Sequence, residues 1–284
     1  MTSITTVQKN NPITIKCCDG LVLLDTIDNN SVDLFLTDPP YIISKETGMN
    51  KFKKKITKLV NGKNLKTKEE WEIFKKEKKY TDDSKKKNYL KYGNVSGKKY
   101  SYSTDYGEWD KKFTINILEK YIEQYYKKLR KGGTLIIWFD LWKITPLKAL
   151  LEKYKFKQIR MIEWIKTNPI PLNQSLNYLS NVREIALLAV KGGKPTFKGK
   201  YHKGIYEYPI QSGKNRFHPT QKNLKLFEEI IMKHTNENDL VVDTFLGGGT
   251  TAYACKNTNR KFIGCELDKK FYNKIIENPI LQIL

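Results

Sequence analysis

Seven short apolar runs, each closed by a turn or polar residue, predict buried or half-buried strands at 13–18, 32–37, 134–139, 159–164, 184–190, 240–243 and 262–265. Between several of them apolar residues recur at helical spacing, over 114–129, 144–154, 224–234 and 250–256. The first of these helices is expected to stop at Lys131-Gly132-Gly133, because basic residues followed by glycine are a common helix end. Strands alternating with helices predict an α/β fold with a mostly parallel sheet covered on both faces. No internal repeat is visible.

One stretch departs from this pattern. Residues 45–112 hold 21 lysines against 10 acids, a net charge of +11, with Trp71, Phe74, Tyr80, Tyr89, Tyr92, Tyr100, Tyr102, Tyr106 and Trp109 spread among them. Residues 51–66 read as a solvated insertion. Residues 67–79 read as a basic helix, since Thr67 and Glu70 stand at capping-box spacing. Interleaved lysines and aromatic rings also suit a nucleic-acid-facing surface, with amines on phosphates and rings on bases. A second irregular segment, 191–217, is rich in Gly, Lys and Tyr.

Composition sharpens this. The 284 residues carry 52 Lys+Arg against 30 Asp+Glu, a net charge of +22. Arginine occurs only at 130, 160, 183, 216 and 260, so an AT-rich coding sequence accounts for the choice of lysine. It does not account for the size of the imbalance, which is the electrostatic footprint of a polyanionic partner. No run reaches the eighteen or so apolar residues of a membrane helix, and the first ten residues lack a secretory apolar core, so an intracellular, cytoplasmic protein without membrane partners is expected. Cys17, Cys18, Cys255 and Cys265 form no CxxC or Cys/His cluster, so reduced thiols and no metal site are expected.

Two motifs hold the chemistry. The strand at 32–37 runs into Asp38-Pro39-Pro40-Tyr41, and two prolines cannot continue a central strand. Asp38 and Tyr41 are therefore presented beyond the sheet's carboxyl edge, where open α/β sheets bind ligands. A carboxylate and a free backbone carbonyl accept hydrogen bonds from an amino group, and the ring offers a stacking surface, so an exocyclic base amine suits the pocket. Taken alone, the tetrapeptide is equally a turn with a helix-capping acid. The second motif, Asp243-Thr244-Phe245-Leu246-Gly247-Gly248-Gly249-Thr250-Thr251, is a strand end, a glycine turn and a helix start, followed by an acid, Glu266, at the end of the next strand. Helix N–H groups at a glycine turn with a following acid for ribose hydroxyls imply a nucleoside cofactor. A turn that only packs helix on strand is the alternative. The glycine spacing matches neither the dinucleotide fingerprint nor the GxxxxGK[ST] phosphate loop.

With His218-Pro219-Thr220-Gln221-Lys222, these motifs make the chain resemble the amino-group DNA methyltransferases that use S-adenosylmethionine, in the permuted class called beta. The motif order supports this, with the catalytic tetrapeptide first and the cofactor loop near the C-terminus. The resemblance spans 13–44 and 113–275. It implies a Rossmann-like seven-stranded sheet, circularly permuted, in a single methyltransferase domain over 1–284, with 45–112 as a basic insertion and 169–217 as the target-recognition region. It implies that Asp38 and the Pro39 carbonyl hold the target amine, that Pro40 shapes the turn, and that Tyr41 stacks on a flipped base. For S-adenosylmethionine it implies Asp19 at the adenine, Glu266 at the ribose, and Phe245 beside the cofactor. Asp243, Gly247, Gly249, Thr250 and Thr251 would lie along the methionine portion, with Thr220 and Lys222 at its carboxylate. Three positions depart from the pattern: Thr244 for proline, Gly248 for serine and Asn223 for proline.

Asp rather than Ser at the head of the tetrapeptide goes, within the resemblance, with N6-adenine rather than N4-cytosine. No Pro-Cys dipeptide of the ring-carbon methyltransferases is present. The expected partner is double-stranded DNA, a restriction–modification setting fits, and homodimers occur in the resembled class. An RNA or protein amine methyltransferase, or an inactive DNA-binding protein on the same fold, are the competing readings. Lys166-Thr167-Asn168-Pro169 resembles a motif that packs on the flipped base. Trp138, Trp142 and Trp164 are expected in the core, and His202 and His234 as surface or satisfied histidines.

Overall fold

The computed structural model describes residues 4–7, 12–41, 66–78, 80–93, 95, 113–169, 179–211, 216–218 and 220–279. The chain divides into two units, 1–42 with 112–284, and 43–111. Most of segment 51–66, like parts of 169–217 and Pro219, lies outside the described residues.

The larger unit is built on nine strands: β1 (Ile4–Val7), β2 (Ile13–Cys17), β3 (Val32–Thr37), β4 (Leu129–Phe139), β5 (Lys157–Lys166), β6 (Arg183–Val190), β7 (Ile205–Tyr208), β8 (Leu240–Asp243) and β9 (Lys261–Glu266). They form one sheet in the order β1-β2-β9-β8-β3-β4-β6-β5-β7. Strands β2, β9, β8, β3 and β4 are parallel neighbours. Strand β6 runs against both β4 and β5, and β7 runs with β5. The α/β sheet is as expected, with two strands more than seven. Neither β1 nor β7 was foreseen, since each has only four residues and β7 lies inside the Gly/Lys/Tyr-rich stretch.

Helices cover both faces. Helix α1 (Gly20–Asp25), α4 (Ile115–Lys128) and α5 (Ile144–Lys153) bury Leu24, Leu118, Tyr125 and Leu147 against Phe35, Leu135, Ile137 and Val242. Helix α6 (Leu224–His234), α7 (Thr250–Asn257) and α8 (Lys269–Ile276) bury Phe227, Ile230, Cys255 and Ile275 against Leu34, Leu36, Trp138 and Phe262. Alternate residues of β3 thus go to opposite cores, the period of two that a sheet with two covered faces imposes.

Lys131-Gly132-Gly133 is not a helix stop. Helix α4 ends at Lys128, Leu129 is already extended, and the glycines lie inside β4. One residue of β3, Asp33, stands opposite four of β4, so the strand bulges there. Gly132 has φ +79° and donates its N–H to the carbonyl of Gly192 at 2.7 Å, and a Cβ on it would come 2.4 Å from the Lys194 carbonyl oxygen. Glycine serves the close approach of two strand ends rather than a helix cap.

In the smaller unit, α2 (Lys68–Glu77) begins with the expected capping box: Thr67 Oγ1 accepts from Glu70 N at 3.2 Å, and Glu70 Oε2 from Thr67 N at 2.9 Å. With α3 (Lys86–Tyr92) it brackets a cluster in which buried Trp71 meets Phe74, Tyr80 and Tyr89, with ring centroids 5.3–6.3 Å from its own. Trp71 Nε1 donates to Asp83 Oδ1 at 3.0 Å. These four rings, expected on a base-stacking surface, form the hairpin's own core.

Candidate active site

Five adjacent parallel strands bring an acid to one edge of the sheet. In spatial order they are Asp19 after β2, Glu266 ending β9, Asp243 ending β8, Asp38 after β3 and Asp140 after β4. The end of β5, at Lys166, and the start of β6, at Glu184, reach the same edge because β5 runs with β4 and β6 against it. The two motifs, some two hundred residues apart, meet directly: Thr37 Oγ1 donates to Asp243 Oδ1 at 2.8 Å.

On the catalytic side, Pro39 is buried and the chain turns away from the sheet. Asp38 Oδ2 takes the Lys222 ammonium at 2.7 Å, while Asp38 Oδ1 is buried with no hydrogen-bond partner among the described residues. The Tyr41 hydroxyl and Trp138 Nε1 are likewise buried and unpartnered. Such atoms cost about 1–3 kcal/mol each, and all three side chains lie around the Lys222 ammonium, so together they mark a place suited to a polar guest. Tyr41 lies edge-on to Phe139, centroids 6.2 Å apart. Burial pushes the Asp38 carboxyl above its usual range, with Lys222 opposing and Glu184 adding to the shift.

The cofactor-side residues form a second cluster. Asp243 accepts from Thr37 Oγ1, from Thr251 Oγ1 at 2.6 Å and from Phe245 N at 3.0 Å, and burial pushes it up to about 6 despite these donors. Glu266 accepts from Gly247 N at 2.8 Å and from Asp268 N at 2.9 Å, and burial pushes it up to about 7. Gly247 and Gly249 have φ of +54° and +78°, a region that L side chains rarely adopt, and Gly249 leaves the start of α7 without a side-chain cap. Phe245 packs on Tyr121 and Phe113, centroids 4.7 and 5.5 Å away. Asp19 caps α1 through Leu21 N at 2.8 Å and meets the Tyr121 hydroxyl at 3.4 Å.

Other expected residues have partners within the protein. Thr250 Oγ1 donates to the Lys222 carbonyl, and Thr251 braces Asp243. Thr220 donates its N–H to His218 Nδ1 at 3.4 Å, and burial keeps that imidazole neutral, with its pKa down at about 4. Lys222, expected at the cofactor's carboxylate, is 6% exposed and holds its ammonium between Asp38 and Glu184. Trp142, expected in the core, is 84% exposed on the turn after β4, whereas Trp138 and Trp164 are buried. His234 is buried, and exposed His202 accepts from Gly204 N. Asn168 accepts from Ile210 N at 2.6 Å.

Sequence reading missed Glu184, whose signal was an acid heading the apolar run Ile185–Val190. The departures also find local reasons. Thr244 Oγ1 lies 2.5 Å from the Tyr125 hydroxyl. Asn223 caps α6, accepting from Leu226 N at 3.1 Å. Gly248 abuts Gln221, whose Cγ would be 2.7 Å from an added Cβ. Among the described residues no group of three metal-ligating side chains is present, and no helix is long and apolar enough to cross a membrane.

Residues 32–278 match the DNA methylase family of N6 and N4 methyltransferases. The chain belongs to this family. It is similar to the Type II methyltransferase M2.LlaDCHI of Lactococcus lactis subsp. cremoris, at 26% identity over 93% of this chain and 87% of that protein. Among solved structures, it resembles the M1.HpyAVI–SAM complex at 26% identity, with a TM-score of 0.59 over 95% of this chain and 98% of the other. PvuII DNA methyltransferase, titled cytosine-N4-specific, shares the fold with a TM-score of 0.64 at 15% identity, over 98% of this chain and 88% of its own. Membership in the DNA methylase family makes the chain a DNA methyltransferase, with DNA as its substrate.

Proposed function

We propose that this DNA methylase is a sequence-specific adenine methyltransferase that uses S-adenosylmethionine and acts on N6 of an adenine flipped out of duplex DNA. The single observation that supports it most is Asp38: a carboxylate at the head of the tetrapeptide, with one oxygen tied down and the other buried and unpartnered.

The cofactor supplies a methyl group from its sulfonium sulfur, which would keep the electron pair of the broken S–C bond as a neutral thioether. The residues at the glycine turn fit it: Glu266 would accept from its ribose hydroxyls, Asp19 would meet its adenine, Phe245 would pack beside it, and the uncapped start of α7 behind Gly247 and Gly249 would face its charged tail. Thr250 and Thr251 keep that helix start in place, and Asp243 ties it to β3.

An exocyclic amine is a poor nucleophile because its lone pair is delocalised into the ring. Asp38 Oδ1 and the Pro39 carbonyl, accepting its two hydrogens, favour a pyramidal nitrogen and stabilise the positive charge that develops as its lone pair forms the new N–C bond. Asp38 Oδ1 is also the atom placed to take the proton this nitrogen then sheds. Tyr41 offsets the stacking that the flipped base gives up. Residues 45–112, with half of the net charge, serve as the basic DNA-holding insertion and 169–217 as the target-recognition region of the single domain 1–284. A homodimer and a restriction–modification setting belong to the same proposal.

Sequencing the modified bases in DNA from cells expressing the protein tests it. N6-methyladenine at one recurrent short sequence supports the reading, and N4-methylcytosine there assigns the other amine chemistry of the family.

A further inference from the structure

Four charged side chains alternate in sign along the active-site edge. Lys166 Nζ meets Glu184 Oε1 at 2.7 Å, Glu184 Oε2 meets Lys222 Nζ at 2.7 Å, and Lys222 Nζ meets Asp38 Oδ2 at 2.7 Å. They come from four places in the chain: the end of β5, the start of β6, the loop before α6 and the turn after β3. Beneath Lys222 lie two aromatic faces, Tyr41 and Trp138, with centroids 5.8 and 5.7 Å from its ammonium. A buried ammonium persists only where its partners replace water, and here all of them belong to the catalytic pocket.

The arrangement has a geometric and an electrostatic consequence. Because Lys222 holds Oδ2, Asp38 keeps Oδ1, buried and without a hydrogen-bond partner among the described residues, as the acceptor left for the target amine. Yet an ammonium this close to the acid opposes the positive charge that grows on the amine nitrogen during transfer. Glu184 answers it from the other side, and Lys166 holds the second oxygen of Glu184. The four charges sum to zero. Without Glu184, the same site would carry a net positive charge next to a nitrogen that must become cationic.

We propose that Glu184 is a positioning residue for methyl transfer, holding Lys222 so that Lys222 orients Asp38 without opposing the charge that develops on the target amine. Lys222 on this reading works on the catalytic acid and not on the cofactor's carboxylate. The inference rests on Asp38 being the acid that receives the amine.

Lys222, Glu184 and Tyr41 act on Asp38, the neighbouring Asp243 carboxyl interacts with it as well, and the two members of the ion-pair chain push it in opposite directions: Lys222 lowers its pKa and Glu184 raises it. That difference gives a readout which a merely structural role would not move. Single-turnover methylation of duplex DNA is measured against pH at saturating DNA and cofactor for the wild type, Glu184→Gln, Glu184→Asp and Lys222→Met, with cofactor and DNA affinities taken separately. Glu184→Gln is expected to lower the transfer rate on the order of 10²-fold with both affinities retained, and to move the acid limb to lower pH. Lys222→Met should move that limb to higher pH, and Glu184→Asp should recover part of the rate. Should Glu184→Gln fail to fold, Lys166→Met perturbs the same chain from its outer end and should lower the rate in the same way. A Glu184→Gln rate equal to wild type overturns the proposal, as does an acid limb that stays in place. A Lys222→Met enzyme that loses only cofactor affinity overturns it too, returning that lysine to the cofactor. A wild type that methylates no DNA overturns the function itself, which is a different result from any of these.

Discussion

Asp38 owes its chemistry to having two oxygens in unlike surroundings, one ion-paired and one bare. Replacing it with asparagine keeps the shape but puts an uncharged group opposite the amine, and single-turnover transfer should fall on the order of 10²–10³-fold with cofactor affinity unchanged. Glu266 makes a second prediction. Burial holds its folded pKa at about 7 against an ordinary 4.5, so the folded protein keeps a proton that the unfolded chain releases, and Glu266 makes the empty protein lose stability as pH rises from 4.5 to about 7. The ionised carboxylate is also the form that accepts from two ribose hydroxyls. Cofactor affinity measured by calorimetry should therefore rise with pH through about 7 in the wild type and stay flat in Glu266→Gln. At this scale the sequence was informative wherever side-chain chemistry is local to a motif, as in Asp38-Pro39-Pro40-Tyr41. It was silent on Glu184 because that residue belongs to no motif, and its two partners come from two other segments.

Elements were legible where their signals are local. The capping box at Thr67 and Glu70 named the start of α2, and Leu224–His234 matches its expected helix to the residue. The glycines at 132 and 133 misled because a helix C-cap and a strand bulge use the same residue type, and only the neighbouring strand end at Gly192 distinguishes them. The aromatic residues at 71–89 misled in a related way: exposed stacking platforms and the core of a small hairpin have the same composition. Asn223 shows how an element end is secured, since its side chain accepts from Leu226 N and donates to the Pro209 carbonyl at 3.0 Å. Asn223→Ala should lower stability by about 1 kcal/mol in denaturant unfolding while leaving single-turnover transfer close to wild type.

For the whole molecule, the order of parallel strands explains why one edge is the site. Motifs at opposite ends of the sequence converge because β3 lies between β8 and β4, and a linear reading predicts this only through the topology a resemblance supplies. The charge of +22 is a property of the same scale, and half of it falls in 45–112. Deleting 51–66 should weaken DNA binding for all sequences alike and flatten the dependence of affinity on salt, as measured by fluorescence anisotropy over a salt series. The central claim is that Asp38 presents an adenine N6 for methylation. It is tested most directly by incubating duplex DNA with methyl-labelled S-adenosylmethionine and the wild type or Asp38→Asn, then separating the nucleosides. Label is expected in N6-methyl-2′-deoxyadenosine with the wild type, with a loss on the order of 10²-fold in the variant. Label in N4-methyl-2′-deoxycytidine, or an undiminished Asp38→Asn, would contradict this.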